Sequence, residues 1–137
     1  MLDYSALDVG SEIPPLTTKP ISRHTLALYC CASGDHNPIH VDIDFAKAAG
    51  MPDVFAHGML SMAYLGRMLT GWAPQSAIRS YGVRFTSITQ IGAAIACTGK
   101  VVEKFEADGE KRLKLEIQAA DQNGDVKLVG EAVVAAS

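Results

Sequence analysis

Between Gly58 and Trp72 the chain places Met59, Leu60, Met62, Ala63, Tyr64, Leu65, Met68, Leu69 and Trp72 around nearly every direction of a helix, with Arg67 as its only charge. A helix apolar almost all round is predicted to be buried on nearly every side, so its neighbours must supply a wall that wraps it. The chain beyond Trp72 reads as that wall. Residues 111–120 set Leu113, Leu115, Ile117 and Ala119 against Lys114, Glu116 and Gln118, the period-two pattern of a half-buried strand. Asp108-Gly109 and Asn123-Gly124 flank it as hairpin turns. With residues 80–89 and 94–104 before it and 126–135 after it, about four antiparallel strands are predicted. The expected class is α+β, an antiparallel sheet wrapped around one long buried helix.

The first half of the chain is more broken. Gly10, Pro14, Pro15 and Pro20 allow at most one edge strand, near Leu16-Thr17-Thr18. Ser22 offers an N-cap, residues 23–33 carry apolar groups at roughly helical spacing, and Gly34 supplies a stop. Residues 35–56 read as a long loop with one helical turn near Phe45–Ala49, and a loop of that length inside a small domain usually carries function. With 137 residues and no linker or repeat, a single domain over 1–137 is expected.

Charge and cysteine content exclude several classes of partner. Twelve Lys and Arg against fifteen Asp and Glu, with no basic run, leave no electrostatic footprint for nucleic acid. Three cysteines, two of them adjacent at Cys30 and Cys31, cannot form a fully paired framework, so a reducing cytoplasm is expected. The first residues lack the pattern of a signal peptide, and no apolar run is long enough to span a membrane.

The densest polar cluster is Ser33-Gly34-Asp35-His36-Asn37-Pro38-Ile39-His40-Val41-Asp42. Pro38 opposes a continuing helix, so the chain bends and can bring Asp35 and His40 to one side. An aspartate and a histidine converging on one water are the parts of a general acid/base pair. Spacing alone equally allows a plain turn in which Asp35 and Asn37 satisfy backbone donors and His40 is solvated. A metal held by His36 and His40 would need both imidazoles on one helical face, which Pro38 opposes, so no metal is expected. Cys30 and Cys31 fall in an amphipathic segment and no Gly-x-Ser-x-Gly occurs, so a Cys or Ser nucleophile is not expected either. The other informative stretch is Ala56-His57-Gly58-Met59, where the loop enters the apolar helix. Unpaired N–H groups at that end could hold a carbonyl oxygen as it becomes an oxyanion, and His57 could equally serve only as a cap or packing group.

Ser33 to His40, followed by Ala56-His57-Gly58-Met59-Leu60, resembles the MaoC-like dehydratases and (R)-specific enoyl-CoA hydratases of the hot-dog fold, and Tyr81-Gly82-Val83-Arg84-Phe85 is similar to type II dehydratase subunits. The resemblance implies reversible syn addition of water to a trans-2-enoyl thioester of coenzyme A or an acyl carrier, without a cofactor. It implies Asp35 and His40 as the catalytic pair, Asn37 as support for the turn, the Gly58 N–H as the group polarising the thioester carbonyl, and a structural role for His57. A homodimer is implied too, and the low charge of residues 93–97 is consistent with an unguarded sheet edge. The alternatives from other classes are a non-catalytic acyl-binding subunit of a hot-dog heterodimer and a hot-dog thioesterase.

Two further expectations concern the substrate. Met59, Met62 and Gly66 share one side of the apolar helix and could border an acyl channel. Nine of the twelve basic residues lie after position 66, so Arg67, Arg79 and Arg84 are candidates for the carrier's phosphates.

Overall fold

The computed structural model describes residues 2–137. After the edge strand β1 (Leu16–Thr17) comes α1 (Arg23–Ser33), with the bounds predicted from its caps. Ser22 Oγ accepts the Thr25 N–H at 3.1 Å and Thr25 Oγ1 accepts the Ser22 N–H at 3.4 Å, a reciprocal cap. At the other end Gly34 takes a left-handed conformation (φ 75°) and donates to the Cys30 carbonyl. A 3₁₀ turn at Pro38–His40 and the short α2 (Ile43–Ala48) occupy the loop, the latter capped by Asp42 Oδ1 on the amides of Asp44 and Phe45. The long apolar helix is α3 (Gly58–Trp72), again with the predicted bounds.

Four strands come after the helix: β2 (Ile78–Phe85), β3 (Ala96–Ala107), β4 (Glu110–Ala120) and β5 (Val126–Ala136). With β1 they form one antiparallel sheet in the order β1-β3-β4-β5-β2. Asp108 and Gly109 have φ values of 53° and 74°, the left-handed pair that a two-residue hairpin requires. At the next turn Lys127 of β5, only 4% exposed, reaches Asp121 and Asp125 and the Ile88 carbonyl, so a buried ammonium ties the turn to the segment after β2. Strand β2 stops at Phe85, short of the predicted Thr89, because the hydroxyls of Thr86 and Ser87 turn to the Val126 carbonyl.

The core lies between α3 and the sheet. Leu60, Leu65, Met68 and Leu69 of the helix join Leu113, Leu115 and Ile117 of β4, Leu128, Ala132 and Val134 of β5, and Leu26 of α1. Gly130 is where β5 and β2 come closest: a Cβ there would lie 2.1 Å from the Gly82 carbonyl oxygen. The sheet curls around the helix in the expected hot-dog arrangement. At the ends of the described chain, Tyr4 N–H donates to the Ser137 carbonyl and Ser137 N–H to the Leu2 carbonyl, both at 2.9 Å.

Two expectations are corrected. The helix is not buried on nearly every side: Met59, Ala63, Arg67 and Thr70 form an exposed stripe along α3. One five-stranded sheet covers only the side of a helix that faces it, and the described residues leave this stripe uncovered. The edge at residues 93–97 is not bare either. Leu16 and Thr17 pair with Cys97 and Ala96, and Thr18 N–H bonds the Ile95 carbonyl, so the free edge of the sheet is β2.

Candidate active site

The polar cluster folds as a chain of short side-chain-to-backbone bonds. Ser33 Oγ accepts the Asp35 N–H (3.2 Å), Asp35 Oδ1 accepts the Asn37 N–H (3.2 Å), and Asn37 Oδ1 accepts the Ile39 N–H (3.1 Å). These are Asx-type turns, and Pro38 starts the 3₁₀ turn that brings the chain back on itself. The plain-turn reading therefore holds for the backbone, with Asn37 supporting it. It fails for His40, which is 9% exposed rather than solvated. Its Nδ1 lies 2.7 Å from the Phe55 carbonyl oxygen. A carbonyl only accepts, so Nδ1 carries a proton and Nε2 is left as the nitrogen for other chemistry.

The loop after α2 brings His57 against this turn. A carboxylate oxygen of Asp35 and one ring nitrogen each of His40 and His57 lie within 4.8 Å of one another. His36 is exposed and is not one of this trio. The rings of His40 and His57 stack at 3.9 Å with an interplanar angle of 28°. Burial pushes the His57 imidazole below its ordinary pKa, opposed by its bond to the Asp35 carbonyl.

Gly58 opens α3 directly after His57, and the first N–H groups of a helix have no partner within it. The ring of Phe85 covers its Cα so closely that a Cβ would fall 2.9 Å from Cδ1. Met59 is 52% exposed beside it, Met62 is half-buried, and a Cβ on Gly66 would meet the Tyr81 ring at an ordinary 3.7 Å. Tyr81 donates to the Met62 carbonyl at 2.5 Å, and burial pushes its phenol up to about 12. Met62 and Gly66 thus lie where α3 meets Tyr81 of β2, and Met59 is exposed next to Gly58.

The basic candidates fare differently. Phe85 lies against α3, so alternation sends Arg84 to the opposite face of β2, where it lines a groove with Gly82, Lys100, Glu116 and Glu131. Arg84, expected to contact substrate, thus points away from the face of β2 that meets α3. Arg79 is taken by Glu110 and the Ser76 carbonyl, and its guanidinium holds the Glu110 carboxyl down at about 2. Arg67 is exposed beside a cleft it shares with Lys19, Thr25 and Tyr64.

Sequence reading missed Tyr29, Phe55 and Phe85. Tyr29 meets the His57 ring edge-on at 4.9 Å, and Phe55 meets His40 edge-on at 5.1 Å. The only signals for them were local: Phe55 directly precedes Ala56-His57, and Phe85 ends the Tyr81–Phe85 stretch.

A family model described as the MaoC like domain matches residues 8–123. An (R)-specific enoyl-CoA hydratase of Rhodospirillum rubrum is 34% identical over 94 residues, which cover 63% of this chain and 64% of that protein. The fatty acid synthase subunit beta of Saccharomyces cerevisiae is 32% identical over 131 residues, 93% of this chain. The chain spans only 6% of that subunit's length, and 25% of the 3-hydroxyacyl-thioester dehydratase X of Mycobacterium tuberculosis, which is 39% identical over 72 residues covering 53% of this chain. Among solved structures, the unliganded R-hydratase PhaJ1 of Pseudomonas aeruginosa superimposes with a TM-score of 0.85 at 27% identity, covering 99% of this chain and 86% of that one. With the family model running from before the polar turn to beyond the third long strand, this chain belongs to the MaoC-like domain family.

Proposed function

We propose that this chain is an (R)-specific enoyl thioester hydratase, or 3-hydroxyacyl thioester dehydratase in reverse, acting on coenzyme A or acyl-carrier thioesters. The observation that carries the reading is the meeting of Asp35 and His40 beside the N-terminus of α3. A carbonyl oxygen held by the Gly58 N–H makes C3 of the enoyl group electrophilic. Water between Asp35 and His40 bonds C3 through its oxygen as it gives a proton to the pair. The pair returns one proton to C2, so it ends with as many protons as it began. His40 Nε2, the nitrogen not bonded to the Phe55 carbonyl, is the atom fitted to receive. The acyl chain runs from Gly58 along Met59, Met62 and Gly66, and no bound cofactor takes part in this scheme.

The same reading includes a homodimer in a reducing, cytoplasmic setting. Support comes from the free β2 edge, from exposed Met59, Phe85 and Ile88 next to it, and from three unbridged cysteines. Among the described residues no helix is long and apolar enough to cross a membrane.

Purified protein mixed with crotonyl-CoA and octenoyl-CoA tests the reading. Loss of the conjugated double bond without release of free thiol is expected. Thiol release would make the chain a thioesterase, and neither change would leave it an acyl-binding subunit.

A further inference from the structure

His57 touches both members of the Asp35/His40 pair without belonging to it. Its Nε2 lies 3.2 Å from the main-chain carbonyl oxygen of Asp35, and its ring lies flat against that of His40. Because the Asp35 carbonyl can only accept, Nε2 carries the proton. The other nitrogen, Nδ1, is buried and meets no partner among the described residues. A proton there would be a buried donor facing nothing, so the geometry itself favours a neutral ring with Nδ1 bare. The residue stands at the N-cap position of α3, yet its side chain makes no capping bond, so capping does not explain it.

The surroundings extend the pattern. Tyr29, His57, His40 and Phe55 are four rings in successive contact, with centroid separations of 4.9, 3.9 and 5.1 Å. His40 is held by the ring and carbonyl of Phe55 and by the face of His57. At 1% exposure His57 is itself fixed by packing, which gives His40 a rigid wall to lean on. The titratable groups facing His57 are Asp35 and His40 from the polar turn and Tyr29 from α1.

We propose that His57 is a positioning residue for the acid/base pair: its neutral ring braces the plane of His40, and with it the bond to the Phe55 carbonyl that sets the His40 tautomer, while its N–H holds the Asp35 main chain. This inference rests on the hydratase reading. The unpaired Nδ1 fits such a role, since a buried polar atom without a partner persists where the rest of the residue is required. An apolar side chain would fill the space without the orphan but could not reach the Asp35 carbonyl.

The test reads the ring nitrogens directly. In protein labelled with ¹⁵N-histidine at neutral pH, His57 is expected as the Nε2–H tautomer and His40 as the Nδ1–H tautomer, each as a single form. An imidazolium or Nδ1–H signal from His57 would overturn the proposal without any variant being made. Two variants then separate the contacts: His57→Phe keeps a flat ring without the N–H, and His57→Gln keeps a donor without the ring. In variants whose far-ultraviolet circular dichroism matches the parent, His40 is expected to populate both tautomers, and kcat on crotonyl-CoA to fall about 10²-fold with KM nearly unchanged. Parental kcat in a folded His57→Phe protein would overturn the proposal, as would lost activity with His40 signals unchanged. If the parent protein itself fails to hydrate any enoyl thioester, the hydratase reading falls, while the tautomer measurement still decides whether His57 sets the state of His40.

Discussion

The turn around Asp35 and the hairpins from β3 to β5 are held by different kinds of bond. In the hairpins, backbone ladders run for long stretches: β4 pairs on both sides, from Lys111 to Ala120 against β5 and from Glu110 to Ala120 against β3. In the turn, order comes from side chains reaching backbone, as in the series Ser33, Asp35 and Asn37, and from ring stacking. A ladder resists any one substitution because each rung has neighbours. A relay of single bonds concentrates its consequences on a few atoms. The two regions therefore divide the work, with cohesion in the sheet and chemistry in the turn, and substitutions should separate them.

Asp35→Asn separates them most sharply. Its side chain is exposed and outside the core, so melting should hardly change, while kcat should fall by roughly 10² to 10⁴. A folded variant with near-parental turnover would remove Asp35 from the acid/base pair. Gly130→Ala is the opposite case. Its Cβ would collide with backbone at 2.1 Å, so β5 and β2 must part, and chemical denaturation should show a loss of about 1–3 kcal/mol or more. The residual folded enzyme should keep its turnover, and a loss of kcat in proportion to stability would show that sheet and site are not separable.

Gly66→Leu probes the border between the regions. The new side chain enters the space between α3 and Tyr81, and kcat/KM for an eight-carbon enoyl thioester should fall at least about tenfold, or 1.4 kcal/mol, with the four-carbon substrate spared. Equal loss on both lengths would mean that the acyl chain does not pass Gly66. The smallest effect concerns pH. His57 titrates below its ordinary value of 6.5 when folded, chiefly through burial, so the unfolded chain binds a proton that the folded chain refuses. Stability is whole above that value and declines as pH falls through it toward the folded pKa. Urea melts at about pH 7.5 and about pH 5.5 should show a smaller decline for His57→Gln than for the parent, and equal declines would show that His57 is not the group responsible.

The same division explains what was legible in the sequence. The bounds of α1 and α3 were legible because Ser22, Gly34 and the apolar run from Gly58 act within a few residues of themselves. The β3–β4 hairpin was legible because Asp108-Gly109 imposes its own dihedral angles. Asp35 and His40 stood out as a motif, and their turn obeyed local rules. Long-range facts were not legible. Nothing local says that Leu16 and Thr17 cover Cys97 and Ala96, that α3 keeps an exposed stripe, or that Arg84 faces away from Gly58. The stacking of His57 on His40 joins residues seventeen apart through a loop whose path depends on α2, and no periodicity encodes it.

The meeting of residues 2–4 with Ser137 has a consequence for how such a unit can be carried. Because the two ends of the described chain lie within one hydrogen bond of each other, a host polypeptide can enter and leave at a single point without stretching the sheet. Such a unit is portable: it can sit in a surface loop of a much larger protein, or be cut elsewhere and rejoined here, with its strand order intact.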